Sequence, residues 1–243
     1  GNIAVFDDDV LRHLEFARQI LSDDPAQSKL DAWIDKVEST INLKKTGDID
    51  PPEIQNFKGI IRRTEALAAC RYCGVEMEHA HFLDLPFYET GTIKKNPIGP
   101  ADVQIIYDLL ERVKPNQIFA AGDLSDPHGT HRVCLDAIYQ AVERHKQAGS
   151  AWLKDCYVWL YRGAWQEWDV TDIEMAVPIG PHDMMRKRKA VFKHQSQKDT
   201  AMFPGSDPRE FWQRAEDRNH ETARLYNALG LAEYEAIEAF VQY

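Results

Sequence analysis

Gln117-Ile118-Phe119-Ala120-Ala121-Gly122 is a short apolar run closed by a glycine, and it decides the fold. The loop Gly122–His131 follows it, and beyond that loop an amphipathic helix carries one apolar stripe. A strand, a loop and a helix in this order are typical of an open α/β sheet, in which ligands bind at the carboxyl ends of the strands. We therefore expect Gln117–Ala121 to be a central parallel strand and the functional site to lie in the loop after it.

The remainder of the chain alternates between helical and strand-like patterns, which predicts the fold class. Strand-like segments cover His81–Leu85, residues 156–161 and short stretches within 165–178. Such alternation implies parallel pairing and right-handed crossovers. We expect an α/β fold that is Rossmann-like and doubly wound, with a mostly parallel sheet and helices on both faces. Residues 1–243 are predicted to be one domain, with a helical segment over 1–58 and the α/β core and carboxyl-terminal helices over 59–243.

The composition is that of a globular protein with an acidic balance. Hydrophobic residues make up 44% of the chain, and the formal net charge is -10. Nucleic acids and anionic membranes require an extended basic face, so neither is expected as a partner. No apolar run has the length of a membrane span, and the first residues do not form a signal peptide. A cytoplasmic location is expected.

One local basic cluster stands out against this acidic background. It comprises Arg186, Lys187, Arg188, Lys189 and Lys193 on a predicted helix. Such a cluster can hold an anionic substrate group, and it can equally be a solvated helix face. The sequence leaves both interpretations open and favours the solvated face.

The four cysteines predict no disulfide framework. Cys70 and Cys73 have a C-x-x-C spacing, but they lie at the end of a predicted helix, just before Gly74 as a C′ cap. The partial negative charge at a helix carboxyl end disfavours a thiolate, and no second C-x-x-C completes a zinc site. We interpret the cysteines as small buried residues.

Two histidines in the loop after the predicted strand are the leading functional candidates. His128 and His131 are three residues apart near a helix start, where two imidazoles can face the same metal or polarised oxygen. A lone H-x-x-H is also common on surfaces and at helix caps. The pair alone does not decide between the two interpretations.

Four separate segments, in the right order, resemble the PIG-L/LmbE-like family of zinc-dependent N-deacetylases. Residues 62–69 with Gly74-Val75 resemble the family's R-x-x-E-A helix, and His81–Pro86 is similar to its strand ending in Leu-Pro. Asp126–His131 resembles the H-P-D-H loop, with Gly129-Thr130 in place of Pro-Asp. Lys189–Gln197 is similar to the K-x-A-x-x-x-H-x-S-Q stretch.

The resemblance implies a fold, a cofactor and a reaction. The implied fold is Rossmann-like with zinc at the carboxyl end of the sheet, and the implied reaction is attack of a metal-activated water on the N-acetyl group of an amino sugar. It places His131 as a zinc ligand and His128 as the group that stabilises the oxyanion. Further expected roles are substrate binding by Arg62 and His194 and support of the site by Asp123, Asp126 and Glu65. Simpler roles stay open: an Arg62–Glu65 ion pair, a carbonyl cap by His194, and helix capping or turn formation by the two aspartates.

The chain departs from the family pattern at one decisive point. The early P-H-P-D-D motif, which supplies two zinc ligands and the general base in the family, has no counterpart here. We therefore expect a truncated chain that lacks the first β-α-β unit, binds zinc poorly and is inactive alone. One branch of the family is fused behind a glucosamine-6-phosphate deaminase (isomerase) domain, and residues 1–58 resemble its helical segment.

A non-catalytic regulatory or oligomerising appendage of an amino-sugar enzyme is the alternative function. A homo-oligomer is compatible with the sequence, because a missing strand would leave a sheet edge open for another chain. An upstream H-P-D-D motif in the parental protein would favour the amidase over the appendage.

Overall fold

The computed structural model describes residues 10–11, 13–15, 27–45, 48–88, 96–122, 129–164, 166–197, 209–230 and 233–243. The chain divides into two compact units. The helical unit comprises Gly1–Ala80, Thr90–Thr92 and Ala190–Glu210, and the sheet unit comprises the remainder. Within the described residues no helix is both long enough and apolar enough to cross a membrane. The sequence-based expectation of one domain stays a prediction.

The helices α1 (Gln27–Leu43) and α2 (Pro52–Tyr72) form most of the described part of the helical unit, and residues 10–11 and 13–15 are also helical. Short 3-10 turns lie at Met77–His79 and Gln195–Gln197. The apolar stripes of these helices, together with residues of the segment 10–15, meet in a small core. Its buried members are Val10, Leu14, Ile34, Val37, Ile54 and Ile61.

Helix α2 ends as its sequence predicts. Gly74 adopts a left-handed φ of +83°, and the N–H of Val75 donates to the carbonyl of Cys70 at 2.9 Å. This is a Schellman-type cap, and it needs the glycine because a Cβ disfavours positive φ. All four cysteines are free. Cys73 is exposed, so its predicted burial was wrong: the cap turns the chain at this residue and leaves the thiol outside the helical core.

The described residues of the sheet unit form four strands and four helices. The strands are β1 (Gln117–Ala121), β2 (Tyr157–Tyr161), β3 (Met175–Ile179) and β4 (Ala236–Gln242). The helices are α3 (Pro100–Val113), α4 (Thr130–Gln147), α5 (Pro181–Val191) and α6 (Phe211–Ala228), and a 3-10 turn lies at Ala151–Asp155. The strands lie in the order β1-β2-β4-β3.

The predicted strand Gln117–Ala121 is confirmed, with its partner β2 parallel to it in the register Phe119↔Trp159. Two features differ from the expectation. Within the described residues β1 lies at the edge of the sheet rather than at its centre. The sheet is mixed, because β4 runs antiparallel to both β2 and β3. A mostly parallel, doubly wound arrangement is therefore not confirmed.

Helices cover the two sides of the sheet unequally. Ile118 and Leu160 point to the side on which α3 and α4 pack, in clusters with Leu135, Val103 and Ile106. Helix α6 packs on β4, where the Asn219 amide donates to the Ile237 carbonyl at 2.8 Å. This contact secures the last strand, β4, for which the sequence analysis made no prediction.

The predicted strand His81–Leu85 is not a strand in the structure, because it forms no ladder with any of the described strands. Its burial alternates: Leu83 and Leu85 are half-buried against the α3–α4 core, whereas Phe82 is exposed. Asp84 has a φ of +46°, outside the β region. The segment has the pattern of a strand without a neighbouring ladder.

Candidate functional site

The carboxyl end of β1 is held tightly at Gly122. The N–H of Gly122 donates to the carbonyl of Tyr161 at 2.8 Å, which extends the β1–β2 ladder by one step. A Cβ at this position would lie 2.9 Å from the Cβ of Leu160 and 3.0 Å from the ring of Trp168. Only glycine fits this close approach, so the first residue of the candidate loop has a fixed position.

The loop itself lies mostly outside the described residues. Asp123, Asp126 and His128 lie outside the described residues, so their predicted roles stay predictions. Description resumes at Gly129, whose φ of +68° starts helix α4 and whose carbonyl accepts the N–H of Val133 at 3.1 Å. His131 follows in the first turn of the helix and is half-buried, with its Nδ1 atom shielded from solvent.

We tested whether the described side chains around His131 fit a zinc ion. A catalytic zinc site needs about three protein ligands and an open position for water. Across the part of the chain that the structure describes, one group of three metal donors is close enough to share an ion, namely Glu76, Glu78 and His79. All three are exposed, and the group does not include His131. The described residues therefore do not fit a zinc site at His131.

Within the helical unit, α2 contacts the segment 194–197 through one carboxylate. Glu65 Oε1 accepts the backbone N–H of Ser196 at 2.7 Å, and Oε2 accepts the Ser196 hydroxyl at 2.7 Å. Ser196 is buried and Glu65 is half-buried. The two residues are 131 positions apart and belong to two of the segments that carry the family resemblance.

This contact holds the residues next to His194. The His194 N–H donates to the Val191 carbonyl at 3.0 Å, and its own carbonyl accepts the Gln197 N–H at 3.0 Å. Lys193 lies over the ring of Tyr72, 5.1 Å from its centroid. His194 and Arg62 are both half-buried in the helical unit, and their role in substrate binding stays a prediction.

The predicted basic cluster divides into paired and exposed members. Lys187 Nζ lies 2.6 Å from Glu238 Oε2 and 2.7 Å from the Asn219 side chain. Arg188 forms a two-point ion pair with Glu216, its Nε at 2.7 Å. Arg186 and Lys189 are exposed. Two of the five cations therefore hold α5 to α6 and β4, which supports the structural interpretation for them.

A buried ionic network in the sheet unit was missed by the sequence analysis. Arg218 is almost fully buried and contacts both Glu167 and Glu238 at 2.6 Å. Thr222 contributes a weaker hydrogen bond to Glu167 at 3.3 Å. The available signal was Glu238 itself, a single acid inside the apolar strand Ala236–Gln242, since a buried carboxylate requires a cation.

The two acids of this network differ in pKa. Burial raises the pKa of Glu167 above its usual value, against the opposing charge of Arg218. For Glu238, burial acts in the same upward direction, but the charges of Arg218 and Lys187 prevail and the pKa is lowered. Glu238 is therefore the carboxylate that Arg218 and Lys187 hold ionised.

Aromatic side chains can stack on sugar rings, but those around the ends of β1 and β2 have structural contacts. Trp168 Nε1 donates to the carbonyl of Leu160 at 3.2 Å, and Arg162 stacks on its ring at 3.8 Å. Trp159 lies beside Tyr157 on the sheet, with ring centroids 6.4 Å apart. Trp165 lies outside the described residues. Trp168 is thus part of the packing that fixes the end of β1.

Comparison with known proteins gives one curated match, to a protein that is longer than this chain. No family model matches the chain. A curated protein of Bacteroides thetaiotaomicron (strain VPI-5482), described as glucosamine-6-phosphate deaminase-like, is 54% identical over 248 residues. The match covers 100% of this chain and 37% of the relative, so the chain spans little more than a third of that protein's length.

Two solved structures show weaker likeness. A deacetylase from the biosynthesis pathway of teicoplanin is 19% identical, with a TM-score of 0.46 over 76% of this chain and 73% of that one. GalB, the 4-carboxy-2-hydroxymuconate hydratase from Pseudomonas putida KT2440, is 18% identical, with a TM-score of 0.48 over 77% and 72%. At these values we draw no functional conclusion from either structure.

Proposed function

We propose that this chain is part of a zinc-dependent N-deacetylase that acts on an N-acetylated amino sugar or a related glycoconjugate. The observation that carries the proposal is the pair of hydrogen bonds that the Glu65 carboxylate accepts from Ser196. Two segments that are distant in sequence resemble one enzyme family, and their residues meet through two hydrogen bonds. A contact of this kind is expected if both segments serve one site.

The position of His131 gives independent support. The histidine follows a parallel strand, a glycine without room for a Cβ and a loop, which is where α/β folds bind ligands. In the proposed enzyme His131 would hold the zinc ion and His128 would stabilise the oxyanion. Asp123 and Asp126 would support the metal loop. The remaining zinc ligands and the general base would come from parts of the protein other than the described residues.

The substrate class rests on the long relative. Its description as glucosamine-6-phosphate deaminase-like suggests an amino sugar, and 54% identity over the whole chain makes a shared role for this part reasonable. In the proposed enzyme, Arg62 and His194 bind the sugar, and Glu65 positions the segment that carries His194.

A second candidate is a non-catalytic appendage of an amino-sugar enzyme. The metal donors near His131 favour this candidate. Among the described residues, no group of three side chains close enough to share a metal ion includes this histidine. For this chain taken alone we propose weak zinc binding and no deacetylase activity, since one or two histidines are too few ligands for a catalytic zinc.

The experiment compares three single variants in the longer protein that contains this chain. His131→Ala should abolish zinc retention and acetate release. His128→Ala should retain zinc and lose about 10²-fold to 10³-fold in turnover, as expected for loss of one oxyanion-stabilising group. The matched control is His182→Ala, because His182 is exposed on α5.

Zinc content and acetate release from N-acetylated amino sugars are the two measurements. Equal zinc content in the parent and in His131→Ala would refute the ligand assignment. No acetate release from any such sugar by the zinc-loaded longer protein would favour the appendage. Robust zinc-dependent turnover by the isolated chain would show that its own residues complete the site.

A further inference from the structure

Strand β1 has one edge that no described strand pairs with. The N–H of Tyr157 donates to the Asn116 carbonyl, and the N–H of Gly122 donates to the Tyr161 carbonyl. In a parallel ladder the peptide groups of alternate residues point the same way. Ile118 and Ala120 therefore bond to β2, whereas the N–H and C=O groups of Gln117, Phe119 and Ala121 point to the open edge.

The two edges of the sheet differ in how they are protected. Proteins usually guard an exposed edge strand with proline, charge or a bulge. Strand β3, at the other edge, carries Pro178. Strand β1 has the sequence Gln-Ile-Phe-Ala-Ala, with neither proline nor charge. Its edge has the properties of an interior strand.

One face of the β1–β2 pair is also uncovered. Parallel strands are normally buried on both faces. Helix α4 covers the face of Ala120 and Leu160, but on the opposite face Phe119 is 49% exposed and Tyr157 is 51% exposed. Phe119 contacts Phe240 there, with ring centroids 5.3 Å apart. The uncovered area is an aromatic surface beside the open edge.

A second strand-like segment of the sheet unit has no ladder. Leu83 and Leu85 of the segment 81–85 pack against the same core cluster as Ile118 of β1. Neither segment pairs with the other. Two strand-like segments that pack on one core without pairing with each other indicate a sheet that other strands complete.

We propose that the open edge of β1 accepts a β-strand, and the aromatic surface a helix, from a part of the same protein outside these residues. The long relative is about 2.7 times the length of this chain, since the chain covers 37% of it. A second copy is the weaker occupant. Pairing β1 with its own copy about a two-fold axis perpendicular to the sheet adds a strand but leaves both aromatic surfaces uncovered.

Residue-resolved hydrogen exchange tests the proposal on the isolated chain and on the longer protein. In the longer protein the amides of Phe119 and Ala121 should exchange at least about tenfold more slowly than in the isolated chain, because a new ladder protects them. The amides of Ile118 and Ala120 bond to β2 and serve as internal controls, with protection in both proteins.

A proline variant provides a second measurement that does not depend on exchange. Ala121→Pro removes an N–H that points to the open edge, so it should leave the melting temperature of the isolated chain nearly unchanged and lower that of the longer protein. Ala120→Pro removes an N–H that bonds to β2 and should destabilise both proteins.

The alternatives give different results. Equal exchange at Phe119 and Ala121 in the two proteins would overturn the proposal. Protection in the isolated chain that rises with its concentration, together with a dimer in sedimentation, would assign the edge to a second copy and overturn the proposed occupant. These outcomes are independent of zinc and of deacetylase activity, so they separate this proposal from the proposed function.

Discussion

At the scale of single residues, the Glu65–Ser196 contact joins two parts of the chain that are 131 positions apart in sequence. The resemblance singled out Glu65 and the segment around His194, but their meeting through Ser196 depends on the tertiary fold. Periodicity and spacing report neighbours within an element, and they carry no information on a contact across 131 positions. Glu238 is a second example. The sequence shows an acidic residue within an apolar strand, but it does not show that Arg218 is its partner.

Loss of the Glu65–Ser196 contact should loosen the segment that carries His194. Glu65→Ala removes both hydrogen bonds and leaves the buried Ser196 groups without that acceptor, which should cost about 1–3 kcal/mol of unfolding free energy. Ser196→Ala is the matched variant, because it removes the hydroxyl bond and retains the backbone bond. Its cost should be smaller, and urea unfolding with amide exchange at Ser196 measures both. Equal stability of Glu65→Ala and the parent would exclude the anchoring role.

Glu238→Gln should destabilise the sheet unit in a pH-dependent manner. The change leaves Arg218 and Lys187 facing a neutral amide, and we expect a loss of about 2–3 kcal/mol near neutral pH. Because the folded pKa of Glu238 is lowered, its stabilising contribution is present above the unfolded pKa and is lost as the pH falls through the lower folded pKa. The difference between parent and variant should therefore shrink on acidification.

Glu167→Gln is the control for the pH trend. Burial raises the folded pKa of Glu167, so its contribution is present at low pH and is lost as the pH rises through that raised value. The cost of Glu167→Gln should thus be smaller at neutral pH than in acid, opposite to Glu238→Gln. Thermal melts between acid and neutral pH measure both trends, and parallel trends for the two variants would contradict the assignment.

At the scale of elements, local pattern predicted the elements well and their pairing poorly. Strand β1, the helix before Gly74 and the strand that became β2 all lie close to their predicted bounds. Each of these elements has a periodic pattern of apolar residues and is followed or preceded by a glycine or proline. Both signals come from residues that are neighbours in sequence. The antiparallel direction of β4 and the edge position of β1 depend on which strands lie side by side. The alternation of helices and strands in the sequence predicted a mostly parallel sheet.

Two glycine-to-alanine changes should have opposite effects. Gly122→Ala places a Cβ 2.9 Å from the Leu160 Cβ, so we expect about 1–3 kcal/mol of destabilisation and displacement of the loop after β1. Gly59 lies inside α2, where a Cβ would meet nothing within 4 Å. Gly59→Ala should therefore stabilise by about 0.5–1 kcal/mol through helix propensity. Calorimetry checks both, and a stable Gly122→Ala would disprove the tight approach.

At the scale of the whole molecule, the composition indicated a globular chain but not its division into two compact units. Each unit has its own apolar core: Ile34 is fully buried in the helical unit and Ile237 in the sheet unit. The segment 190–210 belongs to the helical unit although its neighbours in sequence belong to the sheet unit. The sequence pattern cannot predict that this segment rejoins the helical unit, because its position depends on tertiary contacts such as that of Glu65 with Ser196.

The two cores make a prediction about cooperativity. Ile34→Ala and Ile237→Ala each remove a fully buried side chain, and each should cost about 2–5 kcal/mol, depending on how far the cavity collapses. Because the two residues belong to separate cores, we expect Ile34→Ala to speed amide exchange in α1 and α2 and to leave β2 and β4 nearly unchanged. Ile237→Ala should do the reverse, and the double variant should be additive within about 0.5 kcal/mol. If either single variant accelerates exchange equally in both units, the chain unfolds as one cooperative body and the division into two stability units is wrong.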